Sequence, residues 1–461
     1  MAEPDLFFYF ALVEKYLSTG HWPVTDPFVY TLPDDHLMTT HQWLGYWLFY
    51  IPYYLIGWAG PILFKSVFIW FFLAIPLIPF WRERRKLPDY FPLVYMLAFF
   101  IAHHRFRERV SLFGDLFSLY LIVSLMWWRE NRKFWYSLPP LFLLWAQMHP
   151  SWPLGWAILI AYFCTRPPRE WKTYQLVIAA ICVVMPAFNP LGLEGWLYPF
   201  EFAQTIEPYL RQYVVEWLPL TDMRLLAYRF LYVPFATLIP FLLVRMWLGR
   251  KQVPWFEWAM FLLAFALNVK SVRFGLLAQG IFLVLITNME IRSPSEKIPW
   301  LSYKHMRWIV LAGILGVWGY KLNMSSAWRV PLDKRFTIDT NYFPEAAVDA
   351  LNIAKPKLHV FNSFGFGGYL AWRWQGNPPI FFHGFSTNFK FYEENYNRPQ
   401  ESRMELDKLV KKYDIGIFLI SKLGNDNPFI FILRDHPDWQ NIREDGASII
   451  FARKDPRVFA Q

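Results

Sequence analysis

Apolar runs of about 16 to 22 residues recur along this chain with short basic clusters between them, and that is the length at which a helix satisfies its own backbone polar groups across a bilayer. The runs lie at 42–58, 61–81, 89–103, 110–128, 136–149, 152–166, 174–188, 226–248, 254–270, 275–290 and 307–321, which makes about eleven candidate segments. Only 18% of the residues are charged and 55% are hydrophobic, against roughly 25% charged in soluble domains. The 25 Trp and 25 Tyr suit interfacial belts. A net charge of +10 raises nucleic acid as a partner, but the cations sit in short loops beside apolar runs, so no basic groove for nucleic acid is expected. Cys164 and Cys182 both fall inside apolar runs, which argues against a disulfide framework. Glu3 and Asp5 precede the first apolar residues, unlike the basic start of a cleavable signal peptide.

The basic clusters set an orientation. Arg82 to Lys86, Arg129 to Lys133, Arg166 to Lys172, Arg250 with Lys251, and Arg292 with Lys297, Lys304 and Arg307 are expected on the cytoplasmic side. Alternation then places the tail outside. Residues 42–58, interrupted by Pro52 and Gly57, are expected to be interfacial or re-entrant, because a full span there would put Arg82 to Lys86 outside. Three regions follow: an extracytoplasmic loop at 1–41 containing an amphipathic helix over 6–20, a helical membrane domain at 42–321, and an extracytoplasmic α/β domain at 322–461. In the tail the strand-like runs are His359 to Asn362, Ile380 to Phe382 and Ile415 to Ile420, with a helix over Arg403 to Tyr413.

Glu3-Pro-Asp5 sets two carboxylates one residue apart before the first helix. Such a pair can ligate a divalent cation or divide the work of base and orienter, though on spacing alone it suits the acidic start of an ordinary helix better. The following loop gathers Asp26, Asp34, Asp35, His36 and His41. These residues carry a resemblance. Glu3-Pro-Asp5-Leu6-Phe7, Gly20 with Pro23, Thr25 to Phe28 with Tyr30-Thr31, and His41 to Leu44 are similar to the first external loop of GT-C-type membrane glycosyltransferases of the protein mannosyltransferase-like kind. Arg109 to Ser118, Leu144 to His149 with Gly155, Asn189 to Gly192 through Tyr198-Pro199-Phe200 to Glu216-Trp217, Val272-Arg273, and Gly367 to Leu370 with Trp372 continue it over nearly the full length. The family's usual residues are altered at Tyr9, Gln42, Phe113 to Asp115, Gln147 and His383 to Phe385.

The resemblance implies an all-α integral membrane bundle of about 10–11 helices with a C-terminal extracytoplasmic α/β domain, and a membrane helix that would precede Glu3. It also implies an inverting enzyme of a cell envelope, such as a bacterial inner membrane, that uses a polyprenyl-phosphate-linked sugar. Such chemistry needs a base at the acceptor hydroxyl and cations at the departing phosphate. Asp5 is the candidate base, with Glu3 as its catalytic partner; Asp26, His41 and Glu216 are candidates to orient or contact the acceptor, and Glu3 and Asp5 are candidate ligands of a divalent metal. Arg105, Arg107, Arg109 and Arg273 are expected on the phosphate, although each equally suits snorkelling to headgroups. His149 reads first as a packing or interfacial histidine. Gly365, Gly367 and Gly368 lack the Lys and Ser/Thr of a phosphate loop. The altered positions favour a second reading, a non-catalytic protein that binds lipid-linked sugar or scaffolds an envelope assembly. The partners on either reading are membrane lipids and a lipid-linked donor, with the acceptor unidentified.

Overall fold

The computed structural model describes residues 3–32, 40–88, 90–292, 337–385, 389–423 and 427–459, with isolated positions between 308 and 319. Asp34, Asp35, His36, Lys297, Lys304, Arg307 and most of the apolar run at 307–321 lie outside the described residues. The chain forms two compact units, one made of Met1–Thr40, Tyr46–Ile62 and Phe336–Gln461, the other of His41–Gly45 and Leu63–Arg335. The first unit thus joins the N-terminal residues to the tail, a grouping that cuts across the linear order of the sequence.

The second unit is helical. Gly275 to Ile291 are buried without a break, so this helix is wrapped by protein on every side, and its apolarity serves packing as much as solvation. Ala59–Glu83, by contrast, exposes Leu63, Val67, Trp70 and Phe71, an apolar face suited to lipid. Among the described residues, three helices are long and apolar enough to cross a membrane: Ala59–Glu83, Arg229–Leu248 and Val272–Arg292. Thr173–Ala187 and Gly192–Gln212 pass the same test together but bend by 99°. Asn189 shapes the bend: its Oδ1 accepts from the Leu191 N–H and its Nδ2 donates to the Pro186 carbonyl, both at 2.7 Å. About 10–11 membrane helices were expected, and among the described residues three or four helices meet the criteria of length and composition. Proline and 3₁₀ turns divide the apolar runs into shorter helices such as Phe91–Ala102 and Pro153–Cys164; at 1.5 Å per residue each covers about 18 Å of a core roughly 30 Å thick. Trp43–Ile56 carries Pro52 inside it and is likewise short, and Gly57 follows at φ 64°.

Among the described residues, Arg245 and Arg292 inside the bundle are paired, since an isolated charge would be costly there. Arg245 meets Glu290 at 3.1 Å with the Tyr90 hydroxyl donating to the same carboxylate, and Arg292 holds Glu257.

The first unit is built around the helix Pro4–Thr19, which ends at Gly20, φ 80°. Leu6 to Val13 are all buried. Eight consecutive residues exceed two helical turns, so no face of this segment is left to lie on a bilayer, and the expected amphipathic surface helix is instead a core helix. It packs on Gly367–Trp374, and a side chain at Gly368 would come within 2.5 Å of the Pro4 carbonyl oxygen. Phe7 lies against Trp58, Phe343, Tyr369 and Trp372. The tail holds a mixed sheet of β1 (His359–Asn362), β2 (Ile415–Ser421), β3 (Trp439–Glu444) and β4 (Ser448–Arg453), in the order β1-β2-β4-β3. The β1/β2 pair is parallel and the others antiparallel. All seven residues of β2 are buried, as expected of a central strand covered on both faces. Ile380, expected in a strand, forms only an isolated bridge to Val29.

Candidate anion-binding site

Three arginines from two distant parts of the chain converge on one carboxylate in the helical unit. Arg105 ends the 3₁₀ turn His103–Arg105, Arg109 stands just before the helix Ser111–Trp127, and Arg273 lies in the turn Val272–Phe274. Glu216 sits in the turn Val215–Trp217. Its carboxylate accepts from Arg105 Nη1 at 2.7 Å, from Arg109 Nη1 at 2.6 and 2.7 Å, and from Arg273 Nη1 at 3.1 Å. The turns bearing Glu216 and Arg273 are tied to each other. Ser271 Oγ donates to the Glu216 carbonyl at 2.8 Å and accepts from the Arg273 N–H, while the Val272 N–H bonds the Leu218 carbonyl. The Arg273 guanidinium also lies 4.4 Å from the centre of the Trp217 ring, a cation–π contact. Burial alone would raise the Glu216 pKa, but Arg109, Arg105 and Arg273 together outweigh it and hold the carboxyl well below its ordinary range. Each guanidinium meets Glu216 through a single terminal nitrogen, and Arg105 Nε is buried with no hydrogen-bond partner among the described residues.

Two histidines border the cluster. His149 follows the helix Arg132–Met148 and its Nδ1 accepts from the Ser151 N–H at 3.2 Å. His41 is buried and its pKa is pushed down to about 3 by that burial. Its Nε2 lies 2.8 Å from Gln42 Nε2, an amide donor, which leaves the proton on Nδ1, and Nδ1 has no partner among the described residues. The close approach comes from glycine: a side chain at Gly45 would meet Val110 Cγ1 at 2.7 Å and the Met148 carbonyl at 3.1 Å. The strip from His41 to Gly45 is thereby drawn against the residues next to Arg109 and His149. Asp115 lies in the field of Arg105 and Arg273.

The remaining expected site residues have other surroundings. Arg107 is exposed, its Nε donating to the His104 carbonyl at 3.3 Å. In the first unit Glu3 is the buried N-cap of the first helix, and Asp5 is half-buried in its first turn. Asp26 is engaged: its Oδ2 lies 2.7 Å from Nε2 of the wholly buried His383, and its Oδ1 accepts from the Phe28 N–H at 3.0 Å. His383 Nδ1 accepts from the Phe385 N–H, so the ring proton points to Asp26.

No protein-family model matches the chain, and no curated protein does. Among solved structures the chain is similar to the oligosaccharyltransferase of Archaeoglobus fulgidus, crystallised in complex with Zn and sulfate, at 11% identity and a TM-score of 0.47. The match covers 91% of this chain and 64% of that one, so the chain spans under two thirds of that protein's length. A likeness at this level leaves activity to be argued from the residues.

A divalent ion on Glu3 and Asp5 finds no support in the donor set: among the described residues, no group of three or more His, Cys, Asp or Glu side chains is placed to hold a metal. The arginine cluster, in contrast, can hold an oxyanion, since guanidinium edges match phosphate oxygens through parallel hydrogen bonds. Sequence reasoning missed Ser271 and Ser151, whose parts depend on contacts rather than on any local pattern.

Proposed function

We propose that this chain is a membrane glycosyltransferase of GT-C type that moves a sugar from a polyprenyl-phosphate donor to an extracytoplasmic acceptor. The observation that carries the reading is the meeting of Arg105, Arg109 and Arg273 on Glu216, a preorganised set of cations where a lipid phosphate would gain charge as the sugar leaves. On this reading residues 1–41 and the tail domain face the outside of a cell-envelope membrane, and the basic loops face the cytoplasm. Asp5 removes the acceptor proton, with Glu3 beside it in sequence, and the negative charge that develops on the phosphate is taken up by the guanidiniums. Glu216 orients the arginines. His41 supplies a neutral N–H donor, and Arg107 meets headgroups at the surface.

The second reading, a protein that binds lipid-linked sugar without turning it over, is favoured by one observation: Asp26 is committed to His383 and to the backbone, which removes one of the four acidic candidates from chemistry. One experiment separates the two. Purified protein is incubated with a radiolabelled polyprenyl-phosphate sugar and a panel of acceptors, and the same is done with Asp5→Asn. Transfer that falls about 100-fold or more in the variant while donor binding persists supports the enzyme. Equal transfer by both proteins would remove Asp5 from the mechanism, and donor binding without transfer by the parent would favour the second reading.

A further inference from the structure

His149 is held with unusual care for a residue expected only to fill space. Its Nδ1 accepts from the Ser151 N–H at 3.2 Å, and Ser151 is itself fixed because its Oγ accepts from Trp145 Nε1 at 3.0 Å. Gly114, near the start of the helix Ser111–Trp127, leaves room for the arrangement: a methyl group there would fall 2.1 Å from Ser151 Oγ and 3.2 Å from His149 Nδ1. The same helix begins directly after Arg109, whose carbonyl accepts from the Leu112 N–H at 3.2 Å. With Nδ1 committed as an acceptor, a neutral imidazole carries its proton on Nε2. His149 is buried, and a side chain at Gly45 would meet both Val110, next to Arg109, and the Met148 carbonyl, next to His149, so the histidine lies alongside the arginine-bearing segment. The chain therefore presents a histidine of fixed tautomer, a donor that adds no charge, beside its arginine cluster.

We propose that His149, through Nε2–H, donates to an oxygen of the phosphate group held by Arg105, Arg109 and Arg273, and so positions that group. The assignment rests on the phosphate reading of the cluster. A neutral donor suits this place better than a fourth cation, because it fixes orientation without deepening the charge imbalance of the free site.

The test is the binding of farnesyl phosphate to the full chain in detergent, compared with inorganic phosphate, for the parent and three variants. His149→Gln sets an amide N–H near the place of Nε2, His149→Asn keeps only a group near Nδ1 that can serve Ser151, and His149→Leu keeps neither. A hydrogen bond to a charged group is worth roughly ten- to a hundredfold in affinity. His149→Gln should stay within about threefold of the parent, while His149→Asn and His149→Leu should lose about tenfold or more. Farnesyl phosphate binding with inorganic phosphate inert would identify a lipid headgroup, and the same ranking with both probes would identify phosphate in general; either supports the assignment. Asn matching Gln, or Gln falling with Leu, overturns it and leaves the arginine site standing. If the unaltered protein binds neither probe, the phosphate reading and this assignment fail together.

Discussion

Replacing Glu216 by alanine would withdraw the carboxylate on which three guanidiniums meet. Removing one partner of a buried ion pair costs about 3–5 kcal/mol, because the remaining charge is stranded. The Glu216 side chain is 22% exposed, and those of Arg273, Arg109 and Arg105 are 23%, 14% and 4% exposed. Solvent reaches part of the cluster, so the low end applies, about 3 kcal/mol. Thermal unfolding of the detergent-solubilised protein should show Glu216→Ala melting several degrees below the parent. Phosphate should then stabilise the variant more than the parent, since the anion enters a cluster that has lost its own; at about 100 times its Kd it returns about 2.7 kcal/mol. The pH dependence has a definite sign. The folded-state pKa of Glu216 is depressed from an ordinary 4.5, so its stabilisation is complete above that pH and is lost as pH falls through the lower folded value. The gap between parent and variant should accordingly close in acid below about 4.5. A variant that melts with the parent at neutral pH and gains nothing extra from phosphate would refute the reasoning.

Other consequences follow from the same contacts. Asp26→Ala leaves the wholly buried His383 N–H and the Phe28 N–H without their acceptor, and should cost about 2–3 kcal/mol, read as faster proteolysis of the tail domain. Gly368→Ala drives a methyl group toward the Pro4 carbonyl and should destabilise the same unit by about 1–3 kcal/mol in a denaturation series. Gly114→Ala should weaken farnesyl phosphate binding as His149→Leu does, because it displaces Ser151 and His149 without touching the ligand. A cysteine introduced in the exposed helix Arg403–Tyr413 should react with an impermeant thiol reagent on intact cells, and protection until the cells are broken would reverse the proposed orientation.

The sequence was most informative where structure follows from local pattern. The apolar runs mark the helical unit, and β1, β2 and the Arg403–Tyr413 helix lie at or within one residue of the segments that alternation and periodicity suggest. It was least informative where a contact joins distant residues. Hydrophobicity in Leu6 to Val13 looks the same whether the solvent is lipid or protein, and only the packing against Gly367–Trp374 distinguishes a surface helix from a core helix. Asp26 and His383 are 357 positions apart, and no spacing rule connects them. The arginines were conspicuous as cations near the ends of apolar runs, but neither their convergence on Glu216 nor the separate exposure of Arg107 can be read from charge alone. Several positions at which the chain departs from the GT-C-type pattern it resembles are taken up by packing or amide bonds. Tyr9 stacks on Tyr46, Phe385 on Phe8, and Gln147 bridges Trp43 Nε1 and the Phe188 carbonyl.

The most direct test of the central claim is a structure determined with a short-chain polyprenyl phosphate bound. Phosphate density within hydrogen-bond reach of Arg105, Arg109 and Arg273 is the predicted result. A phosphate bound elsewhere, with the three guanidiniums unchanged on Glu216, would contradict it.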